Sequence, residues 1–298
     1  MDKFVIIDGF AILHRAYHAL PILTTKRGSP INAVYGLVSM ILRVITDLKP
    51  THIAVCYDRP EETFRKKAFK LYHANRPKAD KGFVSQIEKA QKALEAMNIP
   101  VYSCAGYEGD DVIGTIAKKV ENKMKVIIVT GDRDIFQLVG PNTQVFMPIS
   151  GMSQGKIFGE KEVIEKMGVK PEQINDYKAL VGDPSDNYPG VSGIGPKTAI
   201  DLIHRYGDVK NIYNNLDKLN PKLKEKLEKG KKDAMLSYKL ATIVTKVPCK
   251  LKINESSKWD IDNEKVLSLF KEFGFKTLTE RVKKMGTKLD EEKQMKLI

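Results

Sequence analysis

Five short apolar runs rich in β-branched residues, at 4–7, 53–57, 101–104, 126–130 and 144–146, read as buried strands. The first four alternate with helical patterns. Ser29-Pro30 offers an N-cap and first-turn pair for a helix running to about Asp47. Ile87, Ala90, Leu94 and Met97 fall at helical spacing on a second helix, and Ile113, Ile116, Ala117 and Val120 on a third. Strand and helix in alternation predict an α/β fold, a mainly parallel twisted sheet flanked by helices with right-handed crossovers. After a loop expected at 148–155 the strand pattern fades, and helices are expected around 160–167, 171–182, 197–206 and 232–245. The chain thus divides into an α/β core over 1–158 and a helical domain over 159–298.

The segment 61–81 fits neither pattern. Arg65, Lys66, Lys67, Lys70, Arg76, Lys78 and Lys81 interleave there with Phe64, Phe69 and Tyr72, leaving little apolar periodicity. A second charge run, 218–232, reads as a solvated helix face. Over 298 residues, 50 Lys and Arg against 37 Asp and Glu leave a net charge of +13. That excess favours a polyanionic partner, although membrane-peripheral and merely lysine-rich proteins share it. Cys56, Cys104 and Cys249 form no CxxC or Cys/His pattern, so neither a zinc site nor a disulfide framework is expected, and a reducing cytoplasm fits. The apolar run before Asp8 is too short for a signal peptide or a membrane span, and no membrane partner is expected.

In an open parallel sheet, ligands bind beyond the carboxyl ends of the strands. The first expected strand runs into Asp8 and the second into Asp58. The third runs into Glu108, Asp110 and Asp111, and the fourth into Asp132 and Asp134. Each acid has an ordinary local reading: Asp8-Gly9 and Gly131-Asp132-Arg133-Asp134 as turns, Asp110-Asp111 as a helix cap. Together, seven carboxylates on one edge would repel and raise one another's pKa unless a cation neutralised them. No His or Cys is woven among them as a ligand, so Mg²⁺ or Mn²⁺ is expected in preference to zinc. Two such ions roughly 4 Å apart suit in-line attack of water on a phosphodiester. An aspartyl phosphatase would want Asp-x-Asp after the first strand, and Asp8-Gly9-Phe10 lacks the second acid.

A glycine turn at 190–199 carries Gly193-Ile194-Gly195-Pro196-Lys197-Thr198-Ala199. Pro196 intervenes where a Walker A loop needs its lysine. A helix–hairpin–helix type turn, in which backbone N–H groups and a helix N-terminus approach a nucleic-acid phosphate, is the functional reading. A solvent-exposed Lys197 in a plain turn is the bland one. Just upstream, Gly182-Asp183-Pro184-Ser185-Asp186-Asn187 is either an Asx turn or a second acidic pair reaching the metal site from the helical domain.

Seven motifs occur in order at matching spacing: Asp8-Gly9, Arg15-Ala16, Thr63-Phe64-Arg65, Glu108-Gly109-Asp110-Asp111, Thr130-Gly131-Asp132-Arg133-Asp134, the Gly182–Asn187 segment and the glycine turn. On these, nearly the whole chain resembles the 5′ nuclease domain of bacterial DNA polymerase I, within the wider flap endonuclease family. The resemblance implies a PIN-like sheet, a helical arch over 61–81 and a helical domain bearing the DNA-binding turn. It implies that Asp8, Asp58 and Asp110, with Glu108 through water, surround one Mg²⁺ or Mn²⁺, and that Asp110, Asp132, Asp134 and Asp186 surround a second. Asp111 and Asp183 would be outer or occasional ligands.

The resemblance further implies a 5′ flap threaded under the arch, with Arg65, also counted among the catalytic residues, and Arg76 on its phosphates. His14, Arg15, Lys66, Tyr72 and His73 would contact DNA as well. Gly193, Gly195, Lys197 and Thr198 would hold the duplex, with room for a K⁺ ion. The implied activity is 5′ flap endonuclease and 5′-3′ exonuclease cleavage of branched or nicked DNA, including removal of an RNA primer, in replication and repair. Two positions depart from the pattern. His14 stands where the family usually has a tyrosine, and imidazole also stacks on bases. His73 stands where a lysine is common, exchanging a full charge for a partial one near neutrality.

Two rivals remain at this point. Ribonucleases of the PIN type share the acidic sheet but lack the arch and the glycine turn. A non-catalytic module for branched DNA would gain nothing from clustered acids facing phosphates. A freestanding monomeric nuclease and the front of a longer polymerase, or a polymerase acting in trans, are equally compatible with the sequence.

Overall fold

The computed structural model describes residues 2–77, 79–150 and 154–295. Lys78 and the middle of the expected 148–155 loop, residues 151–153, lie outside the described residues. Among those described, the strands are β1 (Lys3–Asp8), β2 (His52–Cys56), β3 (Val101–Tyr102), β4 (Lys125–Val129), β5 (Thr143–Ser150) and β6 (Gln154–Phe158), in the order β3-β2-β1-β4-β5-β6. Strands β1 to β5 pair in parallel, as expected. Strand β6 returns antiparallel to β5. The loop expected at 148–155 is therefore largely a hairpin. Its second strand shows no apolar run because it lies at the sheet edge, with Ile157 exposed and Phe158 turned inward.

Alternate residues of β1 feed opposite faces. Phe4 and Ile6 pack with α5 (Gly109–Val120), while Val5 and Ile7 pack with α2 (Asn32–Leu48) and α4 (Lys81–Ala96). A first helix, α1 (Gly9–Ala19), replaces the turn expected at Asp8-Gly9. Asp8 caps it by accepting from the Ala11 N–H at 2.9 Å. Gly9 is required there, because a Cβ would sit 2.6 Å from Val55 Cγ1. The helix expected from Ser29-Pro30 begins later, at Asn32, and Ile31 caps it without a side-chain bond. Ser29 and Pro30 instead close the preceding loop, where the Thr25 N–H donates to the Ser29 carbonyl and Pro30 bridges Thr24.

Of the helical arch expected over 61–81, only the short α3 (Phe64–Ala68) and Lys81 at the start of α4 are helical among the described residues, and 70–75 form turns. After β6 come α6 (Glu160–Met167), α7 (Ile174–Val181), α8 (Pro196–Tyr206), α9 (Val209–Asn214), α10 (Pro221–Ala241), α11 (Glu264–Phe273) and α12 (Lys276–Met295). The helix expected at 232–245 is α10, which starts eleven residues earlier, behind an Asn220 cap with Pro221 in its first turn. It absorbs the lysine run. Leu227, Gly230 and Ala234 face inward, while Lys222, Lys229, Lys231 and Lys232 are exposed. Helices α7 to α10 share the core beneath Phe4 and Ile6. The stripe of Val266, Phe270 and Phe273 returns α11 to the opposite face, against α4. No helix among the described residues is long and apolar enough to cross a membrane.

Candidate functional site

Because β1, β2 and β4 are parallel, their carboxyl ends open on one side. Asp8, Asp58, Asp132 and Asp134 follow these ends, and Glu108 and Asp110 stand at the N-terminus of α5. All six line one cavity of about 800 Å³, and Asp186 of the helical region joins them. Short bonds fix the carboxylates. Asp8 accepts from the Thr130 hydroxyl at 2.7 Å, Asp58 from the Gly109 N–H at 2.7 Å, and Asp132 from the Asp134 N–H at 2.8 Å.

Burial and crowding make Asp8, Asp110 and Asp134 reluctant to ionise. Burial pushes Asp8 up to about 7, with Asp58 and Asp132 adding to the rise against the Ala11 N–H and the Thr130 hydroxyl. Burial likewise raises Asp110 well above the usual carboxylate range, with Asp132, Asp8 and Asp58 contributing. Burial and Asp132 push Asp134 up to about 7 even beside Lys178. A carboxylate cluster that resists its own charge fits hard divalent cations, which would neutralise it, although His14, His18 and His73 line the same cavity. Asp134, Asp183 and Asp186 each offer an oxygen within 4.8 Å of the others.

Lys178 escaped the sequence reading. Only 7% exposed, its ammonium bridges Asp134 and Asp183, the latter at 2.6 Å. Its one sequence signal is position, a single turn after buried Ile174 on a short helix. Asp183 closes the Asx turn of its first reading, one oxygen accepting from the Ser185 N–H at 2.8 Å while the other takes Lys178. Asp186 accepts from Arg76 at 2.7 Å, with His73 Nε2 at 3.2 Å. Burial works against ionisation there, yet His73 and Arg76 hold Asp186 well below the usual range.

Two predicted site residues pair with each other. Asp111 does not face the cavity. It is fully buried, and its oxygens accept from Arg65 at 2.7 and 2.9 Å, from the Glu108 N–H at 3.0 Å and from the Val244 N–H at 2.8 Å. Adjacent residues of a helix point about 100° apart, so Asp110 and Asp111 cannot share a direction. Arg65 borders the cavity, yet protein groups engage its guanidinium. Its guanidinium is 3% exposed and also donates to the carbonyls of Leu240 and Thr242, both at 2.7 Å.

Of the other expected DNA contacts, His14, Lys66, Tyr72, His73 and Arg76 line the acidic cavity. The Tyr72 hydroxyl donates to Glu108 at 3.2 Å, and its ring stacks on His73. Arg15 points elsewhere, donating to the Ile149 carbonyl at 3.1 Å in a neighbouring groove that it shares with Arg133 and Lys156. The glycine turn lies apart from the cavity. Gly195 caps α8, Pro196 opens it, Lys197 is exposed and Thr198 half-buried, and the Gly193 carbonyl accepts from Lys226 at 2.8 Å. Gly190, with φ +64°, holds the turn closed, since a Cβ would lie 2.3 Å from the Gly182 nitrogen.

Comparison with known proteins matches this arrangement. Residues 3–168 fit the model of the 5′-3′ exonuclease N-terminal resolvase-like domain, and residues 169–264 that of the 5′-3′ exonuclease C-terminal SAM fold. The chain is 38% identical to DNA polymerase I of Bacillus caldotenax over 295 residues, covering 98% of this chain and 33% of that one. It is 37% identical to a 5′-3′ exonuclease of Aquifex aeolicus over 286 residues, covering 96% of each. It therefore spans about a third of the polymerase relative and nearly all of the exonuclease. In fold it is similar to the flap endonuclease of bacteriophage T5 solved with DNA and metal ions, at a TM-score of 0.70 and 19% identity over 95% of this chain and 97% of that one. The catalytic core of Rad2 with a DNA substrate follows at a TM-score of 0.57 and 18% identity, over 91% of this chain and 88% of that one. Acids gathered at parallel strand ends and both matched domain models lead to one assignment: the chain belongs to the 5′-3′ exonuclease family.

Proposed function

We propose that the chain is a structure-specific 5′ nuclease that hydrolyses DNA phosphodiesters at 5′ flaps, nicked 5′ ends and RNA primers. The supporting observation is that one cavity gathers carboxylates from three parallel strand ends together with Asp186 from the helical region. The division of labour follows the chain, with cleavage over 1–158 and duplex binding over 159–298, where the glycine turn takes the backbone and admits K⁺. Two Mg²⁺ or Mn²⁺ ions are the proposed cofactors, with Asp8, Asp58, Glu108 and Asp110 holding one and Asp110, Asp132, Asp134 and Asp186 the other. Bound there, such ions lower the pKa of water and stabilise charge on attacking and leaving oxygens.

The protein's own groups orient and exclude. Asp58 fixes the Gly109 amide, and with it the start of the helix that carries Asp110. Arg65 and Asp111 brace the base of the segment crossing the cavity, and Lys178 holds Asp134 and Asp183 together. Lys66, His73 and Arg76 face the cavity, where we place the single strand, and Arg15 with Arg133 would meet the backbone beside it. The chain acts as a monomer, next to a polymerase in the same chain or in trans.

Cleavage of a 5′-labelled flap duplex with Mg²⁺ tests this, with single-stranded RNA as the control. Wild type should cut only the flap, and Asp110→Asn and Asp134→Asn should bind but not cut. Equal inertness and equal binding of all three would leave a DNA-binding module instead.

A further inference from the structure

Two imidazoles face each other where α1 borders the acidic cavity. His14 and His18 are four residues apart, so they rise from the same helix face one turn apart. Their Nε2 atoms stand 3.2 Å apart, with ring centroids at 4.5 Å and planes inclined by 61°. Both side chains are exposed and both line the cavity. Aromatic neighbours restrict them, Phe83 lying edge-on to His14 at 5.5 Å and Tyr17 edge-on to His18 at 5.2 Å.

That separation has a chemical meaning. Two metal–nitrogen bonds of about 2.0–2.1 Å in tetrahedral geometry place their nitrogens about 3.3 Å apart. Paired histidines at this helical spacing are the device by which zinc-binding helices grip their ion. Partial burial, His18 and Arg76 keep His14 below the ordinary imidazole range, which favours the neutral ring that a metal requires.

We propose that His14 and His18 chelate a nitrogen-preferring transition ion, such as Zn²⁺, Ni²⁺ or Cu²⁺, at a site chemically separate from the carboxylates. The clustered carboxylates of Asp8, Asp58, Asp110, Asp132 and Asp134 offer oxygen and select hard cations, whereas two imidazoles select borderline ones, so ions sort between the sites by ligand type. Two protein ligands leave coordination positions open toward the cavity. Water fills them in the free protein, and a phosphate oxygen of an entering strand is the matching exogenous ligand.

The test titrates the full chain with Cu²⁺ or Ni²⁺ in a large excess of Mg²⁺, which occupies the carboxylates. Calorimetry gives the affinity, and paramagnetic resonance of the Cu²⁺ sample shows the ligand atoms. Wild type should bind one ion with hyperfine structure from two nitrogens. His14→Tyr and His18→Gln should each weaken binding by at least about tenfold and lose that pattern, with circular dichroism unchanged. The double variant should bind no more weakly than either single one. Unchanged affinity in the variants, a two-nitrogen signal that persists in His14→Tyr, or an oxygen-only signal in wild type would each overturn the assignment.

Discussion

Replacing Asp8 with asparagine should abolish cleavage and yet make the metal-free protein more stable. Burial, with the charges of Asp58 and Asp132, raises the Asp8 pKa against the bonds from the Ala11 N–H and the Thr130 hydroxyl. A carboxyl raised on folding favours the folded state at pH below its unfolded value, and that advantage is lost as pH climbs toward the folded value. The rise of Asp8 from 3.8 to about 7 amounts to ~4 kcal/mol at pH 8. At pH 5 the same relation leaves under ~2 kcal/mol.

Asparagine carries no such load but makes poorer hydrogen bonds, a loss of ~1 kcal/mol. The net gain is ~3 kcal/mol at pH 8, or ~6 °C in Tm at about 2 °C per kcal/mol. Thermal unfolding in EDTA at pH 5 and pH 8 measures it. Saturating Mg²⁺ should invert the order, since wild type then gains more from the ions than the variant does. An Asp8→Asn variant no more stable than wild type in EDTA at pH 8, or one with the same advantage at both pH values, would refute this account.

Arg65→Ala leaves Asp111 buried without its partner and should lower stability to urea by ~3–5 kcal/mol. Arg65→Lys should rescue little, because a single ammonium cannot reproduce the paired bonds to Asp111 and those to Leu240 and Thr242. Lys178→Met removes the cation between Asp134 and Asp183. It should lower the Tm in EDTA at pH 8 and enlarge the increase caused by Mg²⁺, and an unchanged Mg²⁺ response would refute the bridging role. Flap binding in Ca²⁺, measured by fluorescence anisotropy, should weaken about a thousandfold between 50 and 200 mM salt if some six phosphates are engaged. A flat response would remove the basic segment 61–81 from the DNA path.

The site was legible where geometry is forced by local rules. Parallel strands end together, so acids after β1, β2 and β4 had to converge, and they share one cavity. Asp8-Gly9 misled because Asp8 has two tasks: one oxygen caps α1, and the other meets Thr130 at the pocket. The α1 helix was hidden behind its own cap. Asp111 shows a rule that was available and unused, since the turn of a helix separates neighbouring side chains. Lys178 and the burial of Arg65 depend on partners 44 and 46 residues away, and no local pattern encodes such pairings. The stripe at Val266, Phe270 and Phe273 carried its helical period openly, but which face of the sheet it would cover is a tertiary matter.

The carboxylate of Asp111 has a mechanical consequence. It ties together the root of the cavity-spanning segment through Arg65, the residues leaving α10 through Val244, and the first turn of the helix that bears Asp110. A displacement of the basic segment or of the residues after α10 would therefore reach the same peptide units that position Asp110. Under the proposed nuclease reading, a poorly seated substrate would strain this joint and with it the direction of Asp110.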